Sequence, residues 1–86
     1  MSFNEELLKE ICKASIKQER AYRYSKDVDC YFIVRSKTDF LALLNLVTGV
    51  SERRASDWFY GVVPHSSNIR KLEEFFGVKF TKGGEK

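Results

Sequence analysis

Three glycines constrain the fold of this chain more than any other feature, because glycine commonly ends a helix by taking a positive φ. Gly49, Gly61 and Gly77 each follow a segment whose apolar residues have helical spacing. Pro64 lies just beyond Gly61 and cannot continue a helix. The second half of the chain is therefore predicted to consist of short helices separated by tight turns.

The helix before Gly49 is predicted to begin at Thr38, a good N-cap that is followed by Asp39 in the positive first turn. The next helix is predicted to begin after the capping residue Ser51 and to end near Tyr60. Both helices are short, and the glycine between them predicts a sharp change of direction.

The last predicted helix runs from Ser66 or Ser67 through Phe76 and stops at Gly77. After it, residues 78–81 are predicted to form a short strand or an extended tail. The final residues, 82–86, are predicted to be disordered.

The first third of the chain has a different pattern. Residues 3–24 are predicted to form one helix, capped by Asn4 or Ser2, with its apolar residues on one face. Residues 25–27 indicate a break. Residues 28–34 could be a strand or a buried helical turn, and their aromatic and β-branched content favours the strand. The predicted fold is thus a single mostly α domain, residues 1–86, of four to five short helices with one or two short strands.

The charge distribution indicates where a polyanionic partner would bind. The net charge is +3 and the pI is about 9.0. Residues 1–30 contain six Lys or Arg and six Asp or Glu, so the excess positive charge lies in residues 31–86. Contacts to phosphate are therefore expected from that part of the chain.

Several classes of function lack their sequence signals. The chain has no nucleophile–base pair, phosphate-binding glycine loop or metal-ligand set, so we expect no enzyme activity, no cofactor, no metal and no small-molecule substrate. Cys12 and Cys30 have no CxxC spacing, and His65 does not complete a zinc site with them. With no signal-peptide pattern and no membrane-spanning stretch, a cytoplasmic location without a membrane partner is expected.

The spacing around Gly49 predicts a helix-turn-helix. Ala55 and Trp58 lie six and nine residues after the glycine, on the inner face of the second helix. Leu44 and Val47 of the first helix are expected to face them. Such packing fixes the two helices at a steep angle and leaves the outer face of the second one exposed.

These residues resemble the Cro/CI-type, or XRE-like, helix-turn-helix repressors over residues 38–80. The sequence GVS followed by ASDW, Gly61 and Pro64 is similar to the recognition helix of that family and the loop after it. Residues 68–78, NIRKLEEFFGV, are similar to its following core helix. One departure is Asn45, which stands where the family usually has a small residue. The resemblance implies a lambda repressor-like DNA-binding domain, to which residues 1–36 add an N-terminal helix with a strand or a dimerisation arm.

The resemblance also implies roles for the outer residues of the second helix. Ser51 and Tyr60 would touch phosphate near its two ends. Glu52, Arg53 and Asp57 would read base edges in the major groove, while Arg54 would reach phosphate or a base. Arginine is suited to guanine, and a carboxylate accepts from cytosine N4. Further phosphate contacts are expected from the start of the last helix, at His65, Ser66, Arg70 or Lys71.

The sequence therefore predicts a sequence-specific regulator that binds double-stranded DNA, a repressor of phage, plasmid or bacterial type. One recognition helix reads few base pairs, so we expect a homodimer on a palindromic operator, with half-sites ~34 Å apart. Its dimer surface is expected at residues 28–34 or 78–81. An alternative is a protein-interaction module on the same scaffold, such as a phage or plasmid accessory protein or an antitoxin. Glu52 and Asp57 keep this alternative open, because they could pair with Arg53 and Arg54 on a merely solvated face.

Overall fold

The structure is a computed structural model that describes residues 3–24 and 30–81. In these ranges the chain is mostly helical, as predicted, with a small antiparallel sheet. The elements in chain order are α1 (Glu5–Gln18), β1 (Ala21–Arg23), β2 (Tyr31–Ile33), α2 (Lys37–Thr48), α3 (Glu52–Asp57), a 3-10 turn (Trp58–Tyr60) and α4 (Ser66–Phe76).

Helix α1 is capped as predicted but is shorter than predicted. The side chain of Asn4 caps it by accepting a hydrogen bond at 3.2 Å from a backbone N–H of the first turn. The predicted helix over residues 3–24 is wrong beyond Gln18. There Glu19 takes a left-handed conformation with φ 49°, and Ala21–Arg23 pair with β2 instead of continuing the helix.

The side chain of Tyr22 explains why this part of the chain is extended. Its ring packs against Phe75 and Phe76 of α4, with centroids 5.7 and 5.6 Å away. Its hydroxyl lies 2.6 Å from the hydroxyl of Ser15, which is buried in α1. Burial of this ring between two helices therefore favours a strand over another helical turn.

The strand predicted within residues 28–34 is confirmed for β2. The antiparallel register pairs Ala21 with Ile33 and Arg23 with Tyr31. Tyr31 and Ile33 lie on the outer face of this hairpin, where they are 58% and 45% exposed. Residues 25–29, which include the predicted break, lie outside the described ranges.

Residues 78–81 do not form a strand. Thr81 makes a single antiparallel bridge with Phe3. Phe80 is fully buried and stacks on Phe3, with ring centroids 5.5 Å apart. The segment is thus an extended tail that packs on the body of the protein, while residues 82–86 lie outside the described ranges.

One apolar cluster contains residues of every helix that the structure describes. Phe40 of α2 lies within it, with its ring centroid 6.2 Å from that of Phe59 and 5.9 Å from that of Phe76. Leu8, Leu43, Leu44, Leu72 and Val34 are also fully buried. Within the described ranges, each helix is too short or too polar to cross a membrane.

Candidate nucleic-acid interface

The N-cap of helix α2 lies two residues earlier than predicted. Ser36, not Thr38, is its N-cap, and the Ser36 hydroxyl accepts from the N–H of Asp39 at 3.1 Å. The Asp39 carboxylate in turn accepts from the N–H of Arg35 at 3.0 Å. This reciprocal capping selects Ser36 over Thr38 and places Lys37 in the first turn of α2.

Two side chains of α2 hold the turn that leads into α3. Gly49 ends α2 in the predicted left-handed conformation, with φ 80°. Thr48 Oγ1 accepts from the N–H of Val50 at 3.2 Å, and Asn45 Nδ2 donates to the carbonyl of Val50 at 2.8 Å. Asn45 therefore stabilises the turn, and both backbone polar groups of Val50 have partners.

The inner side of α3 is anchored as its spacing predicts. Ser51 caps the helix by accepting from the N–H of Arg54 at 3.3 Å. Ala55 is buried where α3 packs against α2. The helix predicted to run to Tyr60 ends at Asp57, and Trp58 and Phe59 are buried in the 3-10 turn that follows. These contacts fix the orientation of α3 and leave its opposite side outward.

The outer side of this segment is open to a partner. Its residues are all exposed to solvent: Ser51, Glu52, Arg53, Arg54, Asp57 and Tyr60. Helix α1 packs against the 3-10 turn but does not cover this side, since Tyr60 is 71% exposed. The predicted reading face is therefore accessible in the described protein.

The two arginines of α3 have no carboxylate partner in the described part of the chain. Neither Arg53 nor Arg54 lies within 4.0 Å of a carboxylate oxygen of the described residues, so the ion pair that Arg53 could have made with Asp57 is not formed. Glu52 lies in the first turn of α3, where its negative charge interacts favourably with the positive end of the helix dipole. The guanidinium donors thus stay available to an outside acceptor.

Lys37 of α2, which the sequence prediction missed, contacts the end of this segment. Lys37 Nζ donates a hydrogen bond to the hydroxyl of Tyr60 at 2.8 Å. The same ammonium lies 4.7 Å from the ring centroid of Tyr60 and 5.0 Å from that of Phe59. The hydrogen bond lowers the pKa of Tyr60, and the positive charge of Lys37 lowers it further.

The contact between Lys37 and Tyr60 had only an indirect signal in the sequence. The two residues are 23 positions apart, and the predicted helix start at Thr38 left Lys37 in a loop. The Ser36-x-x-Asp39 spacing is the signal that would have moved the helix start and placed Lys37 in the helix. Nothing local indicates that Lys37 reaches Tyr60.

The remaining predicted contact residues lie on α4. His65 caps this helix, with Nδ1 accepting from the N–H of Ser67 at 3.2 Å, and Ser66 is exposed as its first residue. Arg70 is exposed one turn later. It lines a groove of about 310 Å³ with residues from Glu73 to Lys79, and no residue of α3 lines that groove. Arg70 therefore lines a groove beside the end of α4 that does not include the α3 residues.

The side chains of the open face define the chemistry available there. Arg53, Arg54 and Lys37 donate hydrogen bonds, Glu52 and Asp57 accept them, and the Tyr60 hydroxyl can donate its proton because its oxygen already accepts from Lys37. Such a mixture matches the base edges and phosphates of a nucleic acid. In residues 3–24 and 30–81, no group of three His, Cys, Asp or Glu is placed to hold a metal ion.

No family model, no curated protein and no solved structure matches this chain. The functional interpretation therefore depends on the geometry of α3 and the residues around it.

Proposed function

We propose that this protein is a sequence-specific regulator, a repressor of phage, plasmid or bacterial type, that binds double-stranded DNA with α3 in the major groove. The observation that carries the proposal is the two-sided character of α3. One side is anchored by Ala55, buried where α3 packs against α2, while the other exposes Arg53 and Arg54 without ion pairs in the described part of the chain.

The exposed residues would have two kinds of role in this proposal, contacts to bases and contacts to phosphates. Arg53 binds guanine O6 and N7, and Glu52 or Asp57 accepts from cytosine N4. Phosphate contacts position the helix at its two ends. At the first end they come from Ser51, and at the second from Tyr60 together with Lys37, whose ammonium adds positive charge next to the phenol.

The proposed active form is a homodimer on a palindromic operator. Its proposed location is the cytoplasm, which contains the DNA of a bacterium, a plasmid or an infecting phage. Two copies of α3 would enter successive major grooves on one side of the duplex, ~34 Å apart. Repression follows if the bound dimer covers the DNA that the polymerase needs.

The experiment that tests the proposal is selection of bound sequences from a random duplex pool, followed by binding titrations on the selected site. We expect a palindrome. Arg53→Ala should weaken binding to it by about 1–3 kcal/mol and relax preference at one base pair of each half-site. Arg20→Ala is the matched control, since it also removes one exposed arginine but lies outside α3.

Failure to enrich any sequence, with no salt-dependent binding to duplex DNA, would refute the proposal. The alternative is then a protein-interaction module, which the exposed carboxylates Glu52 and Asp57 favour because they repel phosphate. Equal weakening by Arg53→Ala on all sequences would assign Arg53 to phosphate and reject its role at a base.

A further inference from the structure

An open groove of about 650 Å³ lies away from α3. It is bounded by β1, by the C-terminal half of α2 and by α4, and no residue of α3 lines it. Its apolar part includes Leu46, which is 49% exposed, and Tyr24, which is 41% exposed, beside the half-buried Phe75. This is the kind of surface that another protein chain covers, because large apolar side chains at this exposure leave favourable burial unrealised.

The α4 wall of the groove carries two opposite charges that do not pair with each other. Lys71 and Glu74 are both exposed and lie three residues apart on the same helix. Within the described ranges neither lies within 4.0 Å of an oppositely charged group. One cation and one anion, three residues apart on one helix and without an ion-pair partner in the described ranges, are complementary to the same two residues of a second copy whose helix runs in the opposite direction.

We propose that this groove is the contact surface for a second copy of the chain. The two copies dock across a two-fold axis, so that Lys71 of each protomer pairs with Glu74 of the partner subunit. A two-fold interface forms each contact twice, so the arrangement gives two symmetric ion pairs around an apolar centre that includes Leu46 and Phe75. The inference rests on the homodimer of the proposed function and names the surface that forms it.

The other two surfaces expected for dimerisation, residues 28–34 and 78–81, are less suited to a two-fold interface. In residues 78–81 the largest apolar side chain, Phe80, is fully buried within its own protomer. The described strands of the hairpin expose Tyr31 and Ile33 on the same face as Ala21 and Arg23, and neither Ala21–Arg23 nor Tyr31–Ile33 contains an acidic residue to match the pair on α4. Charge self-complementarity therefore favours the groove.

Charge reversal tests the surface directly, without DNA. Sedimentation equilibrium should show a dimer for the wild type, with a dissociation constant that rises with salt. Lys71→Glu makes both positions acidic and Glu74→Lys makes both basic, so each variant alone should dimerise at least about tenfold more weakly. Circular dichroism checks that each variant is folded, which is expected because both positions are exposed.

Two further samples separate a lost ion pair from general damage. The double variant K71E/E74K keeps one charge of each sign and should regain the dimer. An equimolar mixture of the two single variants should form a heterodimer, because every contact then joins opposite charges. A wild-type monomer at high micromolar concentration, or single variants that dimerise as well as the wild type, would overturn the proposal.

The outcome for the groove is distinguishable from the outcome for DNA binding. If the inference fails and the proposed function holds, charge reversal leaves the dimer intact while selection still returns a palindrome. If the proposed function fails and the inference holds, the charge-swap pattern appears in sedimentation although no duplex is enriched.

Discussion

Replacing Gly49 by alanine isolates the energy of the turn that orients α3. Gly49 has φ 80°, which an L side chain rarely adopts, and an added Cβ would meet no atom within 4 Å. The cost therefore comes from the backbone alone, about 1–2 kcal/mol for a left-handed L residue. For a domain of this size, each kcal/mol corresponds to a melting temperature lower by about 4–8 °C.

Thermal unfolding followed by circular dichroism measures this loss. Gly49→Asn should lose less than Gly49→Ala, because asparagine tolerates the left-handed region better. Gly77→Ala is a second comparison and should lower the melting temperature by a similar amount, since Gly77 has φ 70° and its added Cβ also meets nothing within 4 Å. If Gly49→Ala melts with the wild type, or if asparagine costs as much as alanine, the backbone explanation of this turn is refuted.

Three smaller predictions follow from other contacts. Asn45→Ala removes the hydrogen bond to the turn carbonyl and should lower the free energy of unfolding by about 1 kcal/mol in urea titrations, and an unchanged midpoint would contradict this. Lys37→Met should raise the pKa of Tyr60 towards its ordinary value, because the hydrogen-bond donor and the positive charge that lower this pKa are gone. The titration of Tyr60 is measured as the part of the phenolate absorbance that disappears when Tyr60 is replaced by Phe. Burial raises the pKa of the Cys12 thiol, so this group stays protonated in the folded protein at a pH where an unfolded chain ionises, and stability should fall above about pH 9. A thiol reagent should therefore label Cys30 before Cys12, and equal rates would count against the burial of Cys12.

Local signals in the sequence predicted most of the second half of the fold. Gly49 and Gly77 end their helices in the left-handed conformation, and Ser51 caps α3, because each of these choices depends on a few neighbouring residues. The outward position of Arg53 follows in the same way from the burial of Ala55 at helical spacing.

Contacts between distant residues could not be predicted in this way. Residues 21–23 form a strand because they pair with residues 31–33 and because Tyr22 packs on α4. In residues 21–23 the packing of Tyr22 and the pairing with β2 therefore outweigh the local helix propensity. The contact between Lys37 and Tyr60 joins two turns that meet only after α2 and α3 have packed.

The bridge between Phe3 and Thr81 has a practical consequence for anyone who handles this protein. Because Phe3 and Thr81 are paired, groups attached at these two residues would leave the molecule from neighbouring positions. Glu5, the first residue of α1, comes within ordinary contact distance of where a side chain on Gly61 would lie. A bulky group attached near Phe3 would therefore lie close to the Gly61 end of the proposed recognition segment, and a cleavable group is the safer choice for binding assays.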